Sequence, residues 1–189
     1  VVMLFGGLAI SKGVSSIERI NKLLIPILLV IILIALIRSL TLNGSLEGIR
    51  YLFTIDWHQL KDPNIWVAAL TQNAWDTGAG WGMFITYGAY MHMRFGIVKN
   101  ALITGLGNNF ISLISGIMIF GTCFAIMGTQ LGSSSSEILE VMKNSGPAST
   151  GLTFIWIPQL FEKILFGRTF TILFFLGLTL AGFSSLISQ

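Results

Sequence analysis

Four stretches of this chain are apolar for long enough to cross a bilayer, and polar residues gather between them or at a few points within them. Residues 23–37 form an unbroken apolar run that extends to Leu40, with Pro26 in the first turns, where a missing N–H is tolerated. Residues 65–91 are apolar but interrupted by Asp76 and a set of glycines. Residues 101–127 carry a polar stripe, and residues 169–188 hold no charge at all. A spanning helix needs about 20 residues. Almost every face of these segments is apolar, so run length rather than periodicity decides their assignment. The pattern predicts membrane helices over 16–40, 65–93, 98–128 and 165–189, with external connections over 41–64 and 129–164. Residues 1–13 read as the end of a further helix, and the whole of 1–189 as a single partial transmembrane domain.

Composition strengthens this reading: 53% of residues are hydrophobic and 10% charged, with a mean hydropathy of +0.81. Soluble domains carry about 25% charged residues. Residues 1–10 are too short to span, lack a basic region before them and have no small-residue cleavage site after them, unlike a signal peptide. The simplest account is a piece of a longer protein, cut within a helix at each end. The single cysteine, Cys123, excludes an internal disulfide and reads as a small packing residue. No internal repeat is visible.

The loops orient the helices. Residues 11–22 carry Lys12, Arg19 and Lys22 against Glu18, and residues 92–100 carry Arg94 and Lys99 with no acid. The two longer stretches between the apolar runs, 38–65 and 130–168, each balance three bases against three acids. The basic excess lies in the two short connections, which the positive-inside rule places in the cytoplasm of a multi-pass protein of the cell membrane. A net charge of +3 is explained by that placement and needs no nucleic-acid partner. In the external connections, the aromatics and turn formers from Asp56-Trp57-His58 to Asp62-Pro63 suit an interfacial segment. Serines before Glu137 mark a helix start, predicting a helix over 134–142. Phe154-Ile155-Trp156-Ile157-Pro158 is too apolar for a free linker, so two short helices are expected over the external mouth.

Asp76 is the only charge inside the apolar stretches 23–37, 65–91, 101–127 and 169–188, within Trp75-Asp76-Thr77-Gly78-Ala79-Gly80-Trp81-Gly82. A carboxylate at bilayer depth costs about 2.5–3.5 kcal/mol and normally has a partner or a task. The stretches 23–37, 101–127 and 169–188 offer no Lys or Arg to pair with it. Each alternating glycine weakens a helix by about 1 kcal/mol relative to alanine. Together these predict unwound backbone lining a polar cavity, the arrangement in which transporters bind ions and solutes. On the third span Thr104, Asn108, Ser112 and Ser115 form one stripe, and on the last Ala181, Ser184, Ser185 and Ser188 form another. With Gln72, Asp76 and the carbonyls around Gly78 and Gly80, they make an oxygen-rich donor set suited to a hard cation such as sodium. Small hydroxyl residues on membrane helices also serve as packing contacts, so the stripes alone leave both readings open. No nucleophile–base pair supports a membrane enzyme.

The chain resembles the neurotransmitter:sodium symporter family over nearly all its length. The resemblance is carried by Ile10-Ser11-Lys12-Gly13, by Pro26 in its apolar run, and by Leu60-Lys61-Asp62-Pro63 before Trp66. It continues through Gly80-Trp81-Gly82 with Thr86-Tyr87, Asn108, and Ala181-Gly182-Phe183-Ser184-Ser185. It implies an all-α integral membrane fold: part of a leucine-transporter-type inverted-repeat bundle with one discontinuous helix, running from the end of helix 4 through helix 8. It implies that Trp75, Asp76, Gly78, Gly80, Trp81 and Ser185 border the substrate. Asp76 and Asn108 fall at ligands of a first sodium site, and Ala181, Ser184 and Ser185 at ligands of a second. Gln72, Asp76 and Ser112 fall at positions that bind chloride in some members.

Asp76 departs from the family pattern, which places serine or threonine there. The expectation is that its carboxylate replaces the chloride ion. The implied activity of the full-length parent is sodium-coupled symport of an amino acid or related small amine, with sodium as coupling ion and no other cofactor. A sodium-dependent solute-binding sensor on the same scaffold is the alternative. The lipid bilayer and the remaining helices of the parent are the expected partners.

Overall fold

In a computed structural model the chain is helical, with no strand among the described residues, which are Gly7, 14–78, 80, 82–91, 95–144, 154, 157–162 and 165–188. The helix end expected over 1–13 lies outside them apart from Gly7. The elements are α1 (Val14–Leu40), α2 (Ser45–Leu52), a 3-10 turn (Gln59–Lys61), α3 (Pro63–Asp76), α4 (Met83–Tyr90), α5 (Ile97–Cys123), α6 (Ser135–Lys143), α7 (Ile157–Glu162) and α8 (Gly167–Ser188). A π-helical segment, Phe124–Gln130, continues α5. Among the described residues, three stretches are long and apolar enough to cross a membrane: Ser15–Leu40, Ile97–Thr129 and Gly167–Leu186. The fourth expected span is a broken pair, α3 of 14 residues and α4 of 8, each too short alone.

The chain falls into two compact units, residues 1–53 with 114–187, and residues 54–113 with 188–189. The first unit has its core where the carboxyl end of α5 and the π-helical segment meet the short helices. Cys123, Phe124, Ile126, Met127, Ile138 and Phe161 are buried together there. Tyr51 of α2 stacks on Phe120 and Phe124 with ring centroids 6.2 and 5.7 Å away, and Phe161 of α7 meets the edge of Phe174 at 5.8 Å. α6 begins where the serines predict. Ser134 Oγ accepts from the Glu137 N–H while Glu137 returns a bond to the Ser134 N–H at 2.8 Å, a complete capping box. Ser134→Ala is expected to destabilise α6 by about 1 kcal/mol. Faster amide exchange confined to Ser135–Lys143 would register it.

α1 and α5 are joined by hydroxyl groups rather than by side-chain bulk. Ser39 Oγ donates to the Met118 carbonyl at 2.9 Å, and Thr122 Oγ1 lies 2.8 Å from the same carbonyl and 3.1 Å from Ser39 Oγ. Gly121 makes this approach possible: a Cβ there would stand 2.7 Å from Ser39 Oγ. Gly48 does the same for α2, because a Cβ would collide with the Phe120 carbonyl. The sequence pattern does not foretell α2; it is held as a helix by this docking onto the π-helical segment and Phe120. Gly48→Leu should cost at least the 1–3 kcal/mol typical of overpacking, seen as a lower melting temperature in detergent. An unchanged value would mean that α2 is free to move aside.

In the second unit, Asp62 starts α3 with Pro63 at the first helical position. Its Oδ1 accepts from the Asn64 N–H and side-chain amide, each at 3.0 Å. Trp66 Nε1 donates to the Leu60 carbonyl at 2.8 Å, fixing the turn before the helix.

Candidate functional site

The break in the second span is built from the residues expected to cause it. α3 ends at Asp76. The Thr77 N–H closes on the Asn73 carbonyl at 3.0 Å, and the Gly78 N–H on Trp75 at 3.1 Å. Gly78, Gly80 and Gly82 then take φ of 65°, 83° and 78°. This left-handed region suits glycine and is costly for residues with a Cβ. α4 begins after Gly82, which gives it no side-chain cap. The carboxyl end of one half-helix and the amino end of another therefore meet at the break. Helix ends present unpaired carbonyls and N–H groups with opposite partial charges, the first attractive to cations and the second to carboxylates.

Beside the break lies a cavity of about 690 Å³ within the second unit. Thr77, next to Asp76, and Tyr87 of α4 line one side; Asn100, Thr104 and Asn108 of α5 line the other. Asn100, Thr104 and Asn108 recur every four residues and so share one helix face. Asn100 Nδ2 donates to the Gly96 carbonyl at 2.9 Å, whereas Asn108 Nδ2 is buried with no partner. An unsatisfied buried amide costs about 1–3 kcal/mol. The second unit thus sets the expected first-site residue Asn108 in the same cavity as the break. The sequence reading began the α5 stripe at Thr104 and missed Asn100, Thr77 and Tyr87. Asn100 was detectable, being one helical step before Thr104.

The other expected residues are distributed as follows. Gln72 and Trp75 stand on α3, both exposed, while Gly78 is buried and Gly80 exposed. Ser112 lies on α5 within the second unit and is exposed. The Asp76 side chain and the whole of Trp81 lie outside the described residues. Ala181 and Ser184, both half-buried, and the exposed Ser185 follow one another on α8, in the first unit. Ala181 borders an apolar cavity of about 270 Å³ with Ser115, Gly177 and Phe174.

A family model described as the sodium:neurotransmitter symporter family matches residues 1–189. The chain belongs to this family. It is 32% identical over 96% of its length to an uncharacterized sodium-dependent transporter of Methanocaldococcus jannaschii. It is 30% identical over 96% to the sodium-dependent nutrient amino acid transporter 1 of Drosophila ananassae, and 27% identical over 92% to the sodium- and chloride-dependent GABA transporter ine of Drosophila melanogaster. The chain spans 36%, 27% and 18% of the lengths of these three relatives. Membership in a family of multi-pass transporters agrees with three spanning-length helices and a broken fourth. It also gives the break a context, since glycine-broken helices near mid-membrane are where such proteins expose backbone to solutes and ions.

Proposed function

We propose that this chain is part of a longer symporter that couples sodium entry to uptake of an amino acid or related small amine across the cell membrane. The carrying observation is the α3–α4 break, with Asp76 at its edge and Asn108 facing the adjoining cavity. The carboxyl end of α3, the Asp76 carboxylate and the Asn108 amide oxygen make up a first sodium site. The amino end of α4 takes the substrate carboxylate, with Trp75, Gly78, Gly80 and Trp81 around the rest of it. Ala181, through its carbonyl, and the hydroxyls of Ser184 and Ser185 hold a second sodium. The short basic connections 11–22 and 92–100 face the cytoplasm, and the segments around α2, α6 and α7 cover the external side. Both sodium ions bind more tightly with substrate present, so joint occupancy biases the protein between its outward- and inward-facing states.

The test is uptake of labelled amino acids by the full-length protein in proteoliposomes, in chloride-free buffer, with and without an inward sodium gradient. Concentrative, sodium-dependent accumulation is expected. Sodium-dependent binding without accumulation would replace the symporter with a sensor.

A further inference from the structure

Among the described residues, positive φ falls on glycines with one exception, Phe166, at 62°. A bulky side chain in the left-handed region is strained, and such strain persists only where the surroundings impose it. Here the backbone on the carboxyl side imposes it. The Phe166 carbonyl accepts the first bonds of α8, from the Thr169 N–H at 2.9 Å and the Phe170 N–H at 3.2 Å. Gly167 follows at once, and a Cβ on it would collide with the Phe161 carbonyl of α7. The corner between α7 and α8 is therefore tight. Packing within residues 1–189 does not offset the strain: Phe166 is 70% exposed, and Leu165 beside it 71%.

The level of this corner follows from the helix it begins. Gly167–Leu186 is 20 residues long and apolar enough to cross a membrane. At about 1.5 Å per residue it measures about 30 Å, the thickness of the hydrocarbon core, with no turn to spare. Its first residue therefore stands at one edge of the hydrocarbon, and Leu165 and Phe166 stand beside it. Arg168 is exposed as well. A long basic side chain at that level reaches lipid phosphates while its stem stays in apolar surroundings. An apolar pair with a base two residues on matches the order of acyl chains and phosphates at the edge of a leaflet.

We propose that Leu165 and Phe166 form a wedge set into the lipid leaflet at the amino end of α8, with Arg168 on phosphates of the same leaflet. Acyl chains cover the apolar surface that the corner exposes, and burying it offsets the strained backbone. The wedge pins the corner and with it Phe161, which meets Phe170 and Phe174 at centroid distances of 6.3 and 5.8 Å. It requires only that α8 crosses the bilayer, and stands whether or not the parent moves sodium.

The test uses the full-length protein in lipid nanodiscs, with cysteines outside residues 1–189 replaced; Cys123 stays, being 1% exposed. A nitroxide is attached at Phe166→Cys, and separately at Leu176→Cys deeper on α8 and at Glu140→Cys on the exposed face of α6. Power saturation then compares access to dissolved oxygen and to a water-soluble nickel chelate. The label at 166 should meet oxygen more than chelate, about 15 Å shallower than the label at 176. Chelate access equal to that at 140 would put the corner in water and overturn the wedge. A label immobilised and shielded from both quenchers would overturn it in favour of a protein neighbour. Leu165→Cys repeats the reading if Phe166→Cys does not fold. Phe166→Gly beside Phe166→Ala tests the strain, since both lose the ring and only the first relieves φ. Phe166→Gly should melt higher by about 1–2 °C; equal melting would mean an unstrained corner with no need of a lipid seat.

Discussion

Replacing Asp76 with serine is expected to turn a chloride-indifferent transporter into one that needs chloride. Asp76 is the last residue of α3, at the helix end that already presents partial negative charge. A second negative charge there is tolerable when a cation sits between the two. At a separation of about 5 Å and an effective dielectric constant of about 20, the attraction between a sodium ion and a carboxylate is about 3 kcal/mol. Losing it should lower sodium affinity by about a hundredfold, and sodium-driven uptake in chloride-free buffer should fall towards background. Serine leaves space and a hydroxyl for an anion, so added chloride should restore much of the loss. If Asp76→Ser transports as well as the unmodified protein and ignores chloride, the carboxylate has no role in balancing the ion.

Asn108→Ala carries the second large expectation. Asn108 faces the cavity next to Thr77, and its amide is not tied down by a neighbour in the way Asn100 is. A hydrogen-bond-strength contact to a charged group is worth about 1.5–3 kcal/mol. Removing the amide should therefore raise the sodium concentration for half-maximal uptake by about tenfold or more. Asn100→Ala is the matched comparison: it lines the same cavity, but its amide nitrogen already serves the Gly96 carbonyl. It should shift sodium dependence little. Equal shifts in both variants would mean that the cavity responds to lost volume or polarity in general, and Asn108 would lose its place as a ligand.

The parts of this molecule that could be read from sequence are those set by local chemistry. Long apolar runs gave α1, α5 and α8, because an apolar run of bilayer length has few alternatives to a helix. Three glycines alternating after Asp76 marked the break, since positive φ is cheap only for them. Ser134 and Glu137 marked the start of α6 through their reciprocal bonds. The sequence was silent where distant contacts decide. α2 carries Gly48 in its interior and forms because Tyr51 and Gly48 dock on α5, more than 60 residues away in the chain. Nothing in Phe124–Gln130 announces a π-helix. The site was legible in the same uneven way: the Asn108 stripe follows from spacing on one helix, while Thr77 and Tyr87 join it only through the fold.

The π-helical segment changes which mutations the carboxyl end of α5 can bear. A π turn holds about one residue more than an α turn, and each residue turns an α-helix by about 100°. Substitutions within Phe124–Gln130 alter one contact at a time. Deleting a single residue would let the segment relax to an α-helix and swing everything beyond it through about that angle. Ile138, 1% exposed in its seat against Phe124 and Met127, would be carried out of the core with α6. The fold therefore constrains the length of this segment more tightly than the identity of its residues.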